Sequence, residues 1–387
     1  MARAADGMAK SGVQTVYMGK NPVAVAVDGR TERAFVVVQG GYDLHGNPTG
    51  NGSVRVVDTR HGRVLRAVGV GLFPSAVAVD ERTGRVFVAN DGERSVSVLD
   101  AHSGTVLRTV RVGFGPLALA THDRDARILV ATEGVTDSAG HPLGDGSVSV
   151  LDARGGKVLG TVVVGMSPSA IAVDQQRGRA YVLNRVSANG GVVNGSLSVL
   201  DVRRVKLVAT ITLRASPSAI AVDTRTGHVF VVSETASIAG TMNPAGVTLL
   251  DPGNGRAYRT TTIGGFPQGI AVDDRAGRVF VTGGGDGTSV SVLDARTGML
   301  VHTVPTGTYP GIVAVDNGRG RAFVATGGAT GNSVLVLDAG TGTVGRTIPI
   351  GGAIVKAMVV DERTGRAFVV SASPTGDGWL SALDAAP

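Results

Sequence analysis

The sequence predicts an all-β fold made of eight similar units, and three observations support this prediction. A two-part phrase, Pro-x-Ala-x-Ala-Val-Asp and then Ser-Val-x-Val-Leu-Asp, recurs along the 387 residues. The aspartates that end the second part follow one another at steps of 42, 52, 49, 50, 43, 44 and 46 residues. Each unit divides into four short segments rich in β-branched residues, without helical periodicity. A repeat of this length is typical of solenoids, propellers and arrays.

The phrase ends on an acidic residue almost every time. The first part ends at Asp28, Asp80, His122, Asp174, Asp223, Asp273, Asp316 and Asp361. The second part ends at Asp58, Asp100, Asp152, Asp201, Asp251, Asp294, Asp338 and Asp384. Because an aspartate can accept hydrogen bonds from the turn that follows it, we interpret these residues as turn caps.

The second unit shows how each element is predicted. Residues 74–80, 86–90, 95–100 and 106–112 form four strand-like runs separated by turns. A proline at the start suits an edge strand, because proline has no N–H to donate. Gly84 follows the first aspartate by four residues, where the turn needs a left-handed conformation. Small and large side chains alternate along the first run, as packing between stacked sheets requires.

The two ends of the chain predict ring closure. The last unit stops after a third strand at residues 379–384, and an unpaired strand at residues 13–18 precedes the first unit. Pairing these strands would remove exposed edges. We therefore predict a single eight-bladed β-propeller of four-stranded antiparallel blades over residues 13–387, closed by the N-terminal strand, and expect residues 1–12 to be a disordered leader.

Several units depart from the phrase. We expect these changes to distort individual blades without breaking the ring. The departures are His122 for aspartate, Ala126, Glu32 and Val205 for turn glycines, Arg214 for the glycine before the fifth unit, and Val355 for proline.

Composition excludes several classes of site and partner. The chain has no cysteine, so it has no disulfide, thiol nucleophile or thiolate metal site. Its net charge is +6, but the arginines lie in turns near aspartates and form no basic run, which favours a salt-bridged turn surface over a nucleic-acid site. No stretch reaches the roughly 20 apolar residues of a membrane helix. We expect a monomer.

Runs such as Arg85-Val-Phe-Val-Ala-Asn90, Ser95-Val-Ser-Val-Leu-Asp100 and Val110-Arg-Val-Gly-Phe-Gly-Pro116 resemble the YVTN family of β-propeller repeats. The resemblance extends from Val13 to Asp384. It implies a bacterial protein in an extracytoplasmic setting (periplasmic, secreted or at the cell surface), related to surface-layer and lactonase-like propellers. It implies no particular reaction.

Length variation between the units is concentrated in the loops after the second strands, which indicates a binding face. The longest insertions are residues 39–52, 133–146, 186–195 and 235–246. One interpretation is that they are hairpin extensions whose Asp, Gly and Pro residues only build turns. The other is a ligand or metal cluster of Tyr42, Asp43, His45, Asp137 and His141, although two histidines without fixed spacing are a weak metal signal.

A large apolar residue recurs in the short segments, or joints, that connect one unit to the next. These segments contain Phe73, Phe114, Met166, Phe266, Tyr309 and Ile354. They could act as wedges between blades or as an apolar collar at the channel mouth. Polar residues end the second strands nearby. They could line either a polar binding pocket or a hydrated channel. Our predicted binding residues are Tyr42, Asp43, Phe73, Phe114, Asn184, Arg185, Phe266, Tyr309 and Lys356.

No catalytic motif is present in the sequence. If Glu133, Glu234, His45 and His141 converge, they could provide acid–base chemistry. An ion pair between either glutamate and Arg185 is the competing expectation.

Two functions follow from these observations. The first is a non-enzymatic scaffold or binding module that recognises a protein, peptide, glycan or small molecule through its variable loops. The alternative is a lyase or lactone hydrolase with a Glu/His site at the channel mouth. We predict no cofactor, with a divalent metal ion as the alternative. A cofactor-associated propeller would need His122 to face the axis, and its place at the turn-rich face argues against that.

Overall fold

The computed structural model describes residues 12–42, 50–137, 142–185, 187–188, 191–192, 195–213, 216–234, 236–238, 241–251, 256–327, 331–351 and 354–384. These residues form eight four-stranded antiparallel sheets, the blades of a β-propeller, which we number 1 to 8 along the chain. The fold class predicted from the sequence is confirmed.

Every blade has the same order of strands from the axis outward. The innermost strands are Pro22–Asp28, Pro74–Asp80, Pro116–His122, Pro168–Asp174, Pro217–Val222, Ile270–Asp273, Tyr309–Asp316 and Ile354–Asp361. The second strands are Arg33–Val38, Arg85–Asn90, Arg127–Thr132, Arg179–Asn184, Val229–Ser233, Arg278–Gly284, Arg321–Gly327 and Arg366–Ala372. The third strands are Ser53–Asp58, Ser95–Asp100, Ser147–Asp152, Ser196–Asp201, Gly246–Leu250, Ser289–Asp294, Asn332–Asp338 and Asp377–Leu383. The outermost strands are Arg63–Gly69, Val106–Arg111, Val158–Val163, Lys206–Thr212, Ala257–Thr262, Leu300–Pro305, Val344–Gly351 and, for blade 8, Val13–Lys20.

Small elements lie in the connections between strands. Two hairpins occur between the second and third strands of blades 4 and 5, Ser187–Ala188 with Gly191–Val192 and Ala236–Ile238 with Thr241–Asn243. Two single-turn 3-10 helices complete the described elements, Asp91–Glu93 in blade 2 and Asp123–Asp125 in blade 3.

The innermost strands surround a central channel. Each contacts the innermost strands of its two neighbours, including blade 8 against blade 1. In blade 1 the innermost strand is half-buried, the second strand is buried and the outermost strand is exposed. This gradient follows from position, because the second strand is covered on both faces by neighbouring blades, whereas the innermost strand has a free edge towards the channel.

The two ends of the strands form two different surfaces. The turn face contains the short turns from first to second and from third to fourth strand. The loop face contains the connections from second to third strand and from blade to blade. On the turn face, Asp100 Oδ1 accepts the backbone N–H groups of His102 and Ser103, at 3.1 and 2.8 Å. Equivalent bonds form at Asp28, Asp58, Asp174 and the other closing aspartates that have described turns, so the predicted role as turn caps is confirmed.

The departures from turn glycine keep the glycine conformation. Glu32, Ala126 and Val205 have φ angles of 55°, 50° and 52°, in the left-handed region that glycine occupies elsewhere, as at Gly84 with φ 64°. Ala126 is fully buried in the core between blades 2 and 3. Blade 3 still forms all four strands, so the turn imposes its geometry on the residue that occupies it.

Polar bonds join neighbouring blades at the turn face. The residue after the closing aspartate accepts a backbone N–H from the preceding blade, as in Gly29 N–H to Glu81 Oε1 at 2.9 Å. Arginines from the same turns donate to backbone carbonyls of the next blade, and Arg363 Nε reaches Gly29 O at 2.5 Å, which joins blade 8 to blade 1. Together with ion pairs such as Arg85 to Asp100 at 2.7 Å, these bonds confirm the predicted salt-bridged turn surface.

A fully buried aromatic ring occupies the same position of the second strand in seven blades. In blade 2 this residue is Phe87, which packs against Ile128 and Val130 of blade 3. Burial of one such side chain contributes about 2 kcal/mol. The residues are Phe35, Phe87, Tyr181, Phe230, Phe280, Phe323 and Phe368, with Leu129 in blade 3.

The N-terminal strand completes blade 8, as predicted. Val13–Lys20 pairs antiparallel with Asp377–Leu383. Met18 is 1% exposed and lies in the core shared by blades 8 and 1. At the end of the pair, Lys20 Nζ lies 2.9 Å from Asp377 Oδ1, and the Tyr17 hydroxyl donates to the same oxygen.

A pair of glycine substitutions tests the turn geometry. A side-chain carbon added to Gly84 or to Gly69 meets no atom within 4 Å, but only Gly84 has a positive φ. Gly84→Ala should therefore lower the free energy of unfolding by about 1–2 kcal/mol, the cost of a left-handed residue. Gly69→Ala should leave it unchanged or raise it slightly, because alanine restricts the unfolded chain. Chemical denaturation measures both values, and equal effects would contradict this account.

Candidate functional site

The loop face contains most of the residues predicted to bind, but part of it lies outside the described ranges. Asp43, His45 and His141 are among the residues that are not described, so their predicted cluster with Tyr42 and Asp137 remains a prediction. Among the described residues, no group of three or more His, Asp or Glu side chains is arranged to hold a metal ion. No helix in the described part of the chain is long and apolar enough to cross a membrane.

Between blades 1 and 2 the loop face has an aromatic pair. The rings of Tyr42 and Phe73 have centroids 5.5 Å apart and are tilted by 38°. The Tyr42 hydroxyl donates to Gln39 Oε1, and partial burial raises the pKa of this hydroxyl. Phe73 has φ 48°, which is unusual for a bulky residue, and its carbonyl accepts the N–H of Asp91 at 3.0 Å. This bond ties the backbone of Phe73 to the loop of blade 2.

Between blades 2 and 3 the aromatic residue has a cationic partner. The Arg94 guanidinium carbon lies 3.3 Å from the centroid of the Phe114 ring. The Phe114 carbonyl also accepts the N–H of Gly134, at 3.3 Å. Phe114 remains 38% exposed. The wedge and the apolar collar at the channel mouth both stay predictions for these joints.

Two carboxyl groups meet beside this joint. Asp91 Oδ1 and Glu133 Oε2 each lie 3.5 Å from the position that a side-chain carbon on Gly115 would occupy. Burial raises the pKa of Glu133, and the nearby Asp91 carboxylate raises it further. Burial also raises the pKa of Asp91. In this pair both carboxyl groups have a raised pKa, and groups of this kind often occur at functional sites.

The other described candidates, Glu234, Arg185 and Lys356, belong to other blades. Glu234 is half-buried in blade 5, and its backbone N–H donates to Ser216 O at 2.9 Å. Arg185 is exposed, its backbone N–H donates to Ser167 O at 3.0 Å, and its ion pair with Glu133 or Glu234 stays a prediction. Lys356 is exposed at the start of the innermost strand of blade 8.

Asn184 lies inside its blade. Its side chain is fully buried, and its amide nitrogen donates to Ser196 Oγ and Ser198 Oγ, both at 3.0 Å. Asn90 makes the same pair of bonds to Ser95 and Ser97 in blade 2, at 3.0 and 2.9 Å. These repeated bonds place the amides in a polar layer beneath the loop face.

His122 is also buried. Its side chain is fully inaccessible, with Nδ1 3.3 Å from Asp125 Oδ2, and it replaces a turn-capping aspartate at the turn face. Burial lowers the pKa of this imidazole, while Asp125 opposes that effect. The position agrees with the expectation that His122 does not face the channel as an axial ligand.

Around blades 6 and 7 the loop face has two exposed rings and a cleft. Phe266 is 72% exposed and Tyr309 is 68% exposed. Both rings approach Gly287, where an added side-chain carbon would lie 3.6 Å from Phe266 Cδ2 and 3.5 Å from Tyr309 Cε1. The neighbouring cleft has a volume of about 420 Å³ and is lined by the innermost strands of blades 4 to 7. Ser218 and Gln268 provide its polar side chains.

Two backbones approach each other closely beside the cleft. A side-chain carbon on Gly269 would lie 2.6 Å from Gly311 O, which is closer than such contacts allow. The hydroxyl of buried Thr282 donates to the same carbonyl at 2.5 Å. Glycine at 269 thus allows the chain before the innermost strand of blade 6 to approach the Gly311 carbonyl of blade 7.

Sequence reasoning missed Asp91, Arg94, Gln268 and Thr282. Asp91 and Arg94 belong to a short loop that no length variation distinguishes, and Gln268 differs from the usual serine by one side chain. Thr282 gave the clearest available signal, because equivalent positions such as Ala89 and Ala131 are apolar.

Comparison with known proteins supports the fold. No family model and no curated protein match this sequence. A chain of the Kuenenia stuttgartiensis hydrazine synthase matches with a TM-score of 0.61 and 17% identity, covering 83% of this chain and 97% of that chain. A chain of a mitotic checkpoint complex matches with a TM-score of 0.58 and 17% identity, covering 79% and 88%. At these identities the likeness shows the β-propeller fold alone.

The carboxyl pair leads to a pH prediction. Since the pKa of Glu133 is raised in the folded protein, its contribution to stability is present at low pH and is lost as the pH rises through the folded pKa. Glu133→Gln should therefore raise the free energy of unfolding at neutral pH relative to the wild type, with a difference that shrinks on acidification. Asp91→Asn should lower the pKa of Glu133 in an NMR titration.

Asp100 provides the opposite control. Hydrogen bonds from Ser103 hold the pKa of this carboxyl below its usual range, although partial burial opposes them. Asp100→Asn should therefore destabilise the protein at neutral pH, and this effect should fade as the pH falls.

If Asp91→Asn leaves the pKa of Glu133 unchanged, that result would contradict the proximity of the two carboxyl groups.

Proposed function

We propose that this protein is a non-enzymatic binding module that recognises its partner through the loop face. One observation supports this most strongly: the two faces use their side chains differently. Turn-face aspartates and arginines are occupied by caps and blade-to-blade bonds, as at Asp100 and Arg363. On the loop face, Phe114, Phe266 and Tyr309 remain exposed. Exposed aromatic residues at one end of a rigid ring are typical of a recognition surface.

The resemblance to YVTN repeats belongs to this proposal. It favours an extracytoplasmic protein. A propeller needs no conformational change to present its loops, so the binding surface would be preformed.

The Asp91–Glu133 pair favours a second candidate function, hydrolysis or elimination by general acid–base catalysis. A carboxyl group whose pKa is raised can hold a proton nearer to neutral pH and donate it. The titration of Glu133 bears directly on this candidate, because an ordinary pKa would remove its basis.

Matched variants of the two faces test the binding proposal. The loop-face variant combines Tyr42→Ala, Phe114→Ala and Tyr309→Ala, and the turn-face control combines Arg82→Ala and Arg296→Ala, whose side chains are exposed. Wild type and both variants are applied to an array of immobilised glycans and an array of peptides. Ligands of the wild type should be lost by the loop-face variant and retained by the control.

Either of two results would overturn the proposal. One is that ligands survive in the loop-face variant, and the other is that the wild type binds nothing on either array. Thermal unfolding of the three proteins checks that a lost ligand does not reflect a lost fold.

A further inference from the structure

We infer that Phe266, Tyr309 and the adjoining cleft form a binding site for a neutral oligosaccharide. This inference rests on the proposed function and identifies the ligand class of one part of the loop face. It depends on three features: two exposed rings, an uncharged cleft, and an amide that faces the channel.

The two rings lie on the loop face, each two residues before a residue that lines the cleft, Gln268 or Gly311. Phe266 and Tyr309 directly precede Pro267 and Pro310, and both approach Gly287. A side chain at position 287 would contact both rings, so the glycine leaves them uncovered at that point. The face of an aromatic ring carries partial negative charge and attracts the weakly positive C–H groups on the flat side of a sugar ring.

The cleft selects against charge. None of the described residues that line it is ionisable, and its volume of about 420 Å³ is within the usual range for small-molecule sites. A charged ligand group would lose hydration there without gaining an ionic partner. A neutral polyol loses less, since hydroxyl groups can exchange water for uncharged donors and acceptors.

Suitable donors and acceptors are present in the cleft. Gln268 is exposed, and no hydrogen bond of its side-chain amide occurs among the described residues. Its Oε1 lies 3.7 Å from the position of a side-chain carbon on Gly311, which directs the amide towards the blade 7 strand. An amide offers both donor and acceptor groups to adjacent hydroxyls. The free edges of the innermost strands add backbone N–H and C=O groups.

A peptide fits these features less well. Each peptide residue brings a backbone donor and an acceptor that need a long edge or groove. Here the two rings directly precede the segments that line a short cleft, so stacking of one sugar and hydrogen bonding of the next would use all of the features together.

The test uses calorimetric titration with neutral hexasaccharides of glucose (α-1,4 and β-1,4), mannose and N-acetylglucosamine. An acidic oligogalacturonate and a proline-rich peptide are the comparison probes. At least one neutral hexasaccharide should bind. Phe266→Ala with Tyr309→Ala should weaken its binding by about tenfold or more, and Gln268→Ala should also weaken it. Tyr258→Ala, which removes a ring 58% exposed on the outermost strand of blade 5, should leave it unchanged.

The inference is overturned if no neutral hexasaccharide binds, if binding survives in the double variant, or if oligogalacturonate or the peptide binds more tightly. The general proposal would survive those results if another ligand still depends on Tyr42 or Phe114. Unfolding curves of each variant confirm that the ring is intact.

Discussion

Each blade of this protein has two apolar faces, and a four-stranded sheet cannot cover both of them by itself. In blade 2, Phe87 packs against blade 3, whereas Val86 and Val88 pack against blade 1. Water must therefore be excluded by a neighbour on each side, and a row of such blades is satisfied only when the last one meets the first. The strand Val13–Lys20 makes this possible, because it completes blade 8 from the opposite end of the chain.

This constraint also divides the surface of the molecule. The blades must keep a fixed angle to one another, and the turn face provides the polar bonds that hold it, such as Gly29 to Glu81 and Arg363 to Gly29. A substitution on the turn face therefore affects the arrangement of the blades. The loop face is less constrained, so it can present exposed rings, a carboxyl pair and a cleft without weakening the interfaces below. The functional proposals depend on this division.

The sequence was sufficient to predict the architecture because the repeated phrase encodes local physical requirements. Aspartate capping, left-handed turn positions and an unpaired first strand each have a signature within a few residues. The site could not be predicted in the same way. Asp91 and Glu133 come from loops of different blades, and their proximity depends on the angle between those blades. Likewise, the cleft is lined by residues of blades 4 to 7, and no spacing in the sequence reveals that they come together.

The central claim is that the eight blades unfold cooperatively as one unit. Native-state hydrogen exchange of the Met18→Ala variant tests this claim most directly. Met18 is buried between blades 8 and 1, and its truncation should cost about 2–5 kcal/mol. The account predicts that amide protection in the second strands falls by the same free energy in all eight blades. Val301→Ala, at a position 47% exposed on an outermost strand, should leave protection unchanged. A loss confined to blades 8 and 1 would contradict the claim.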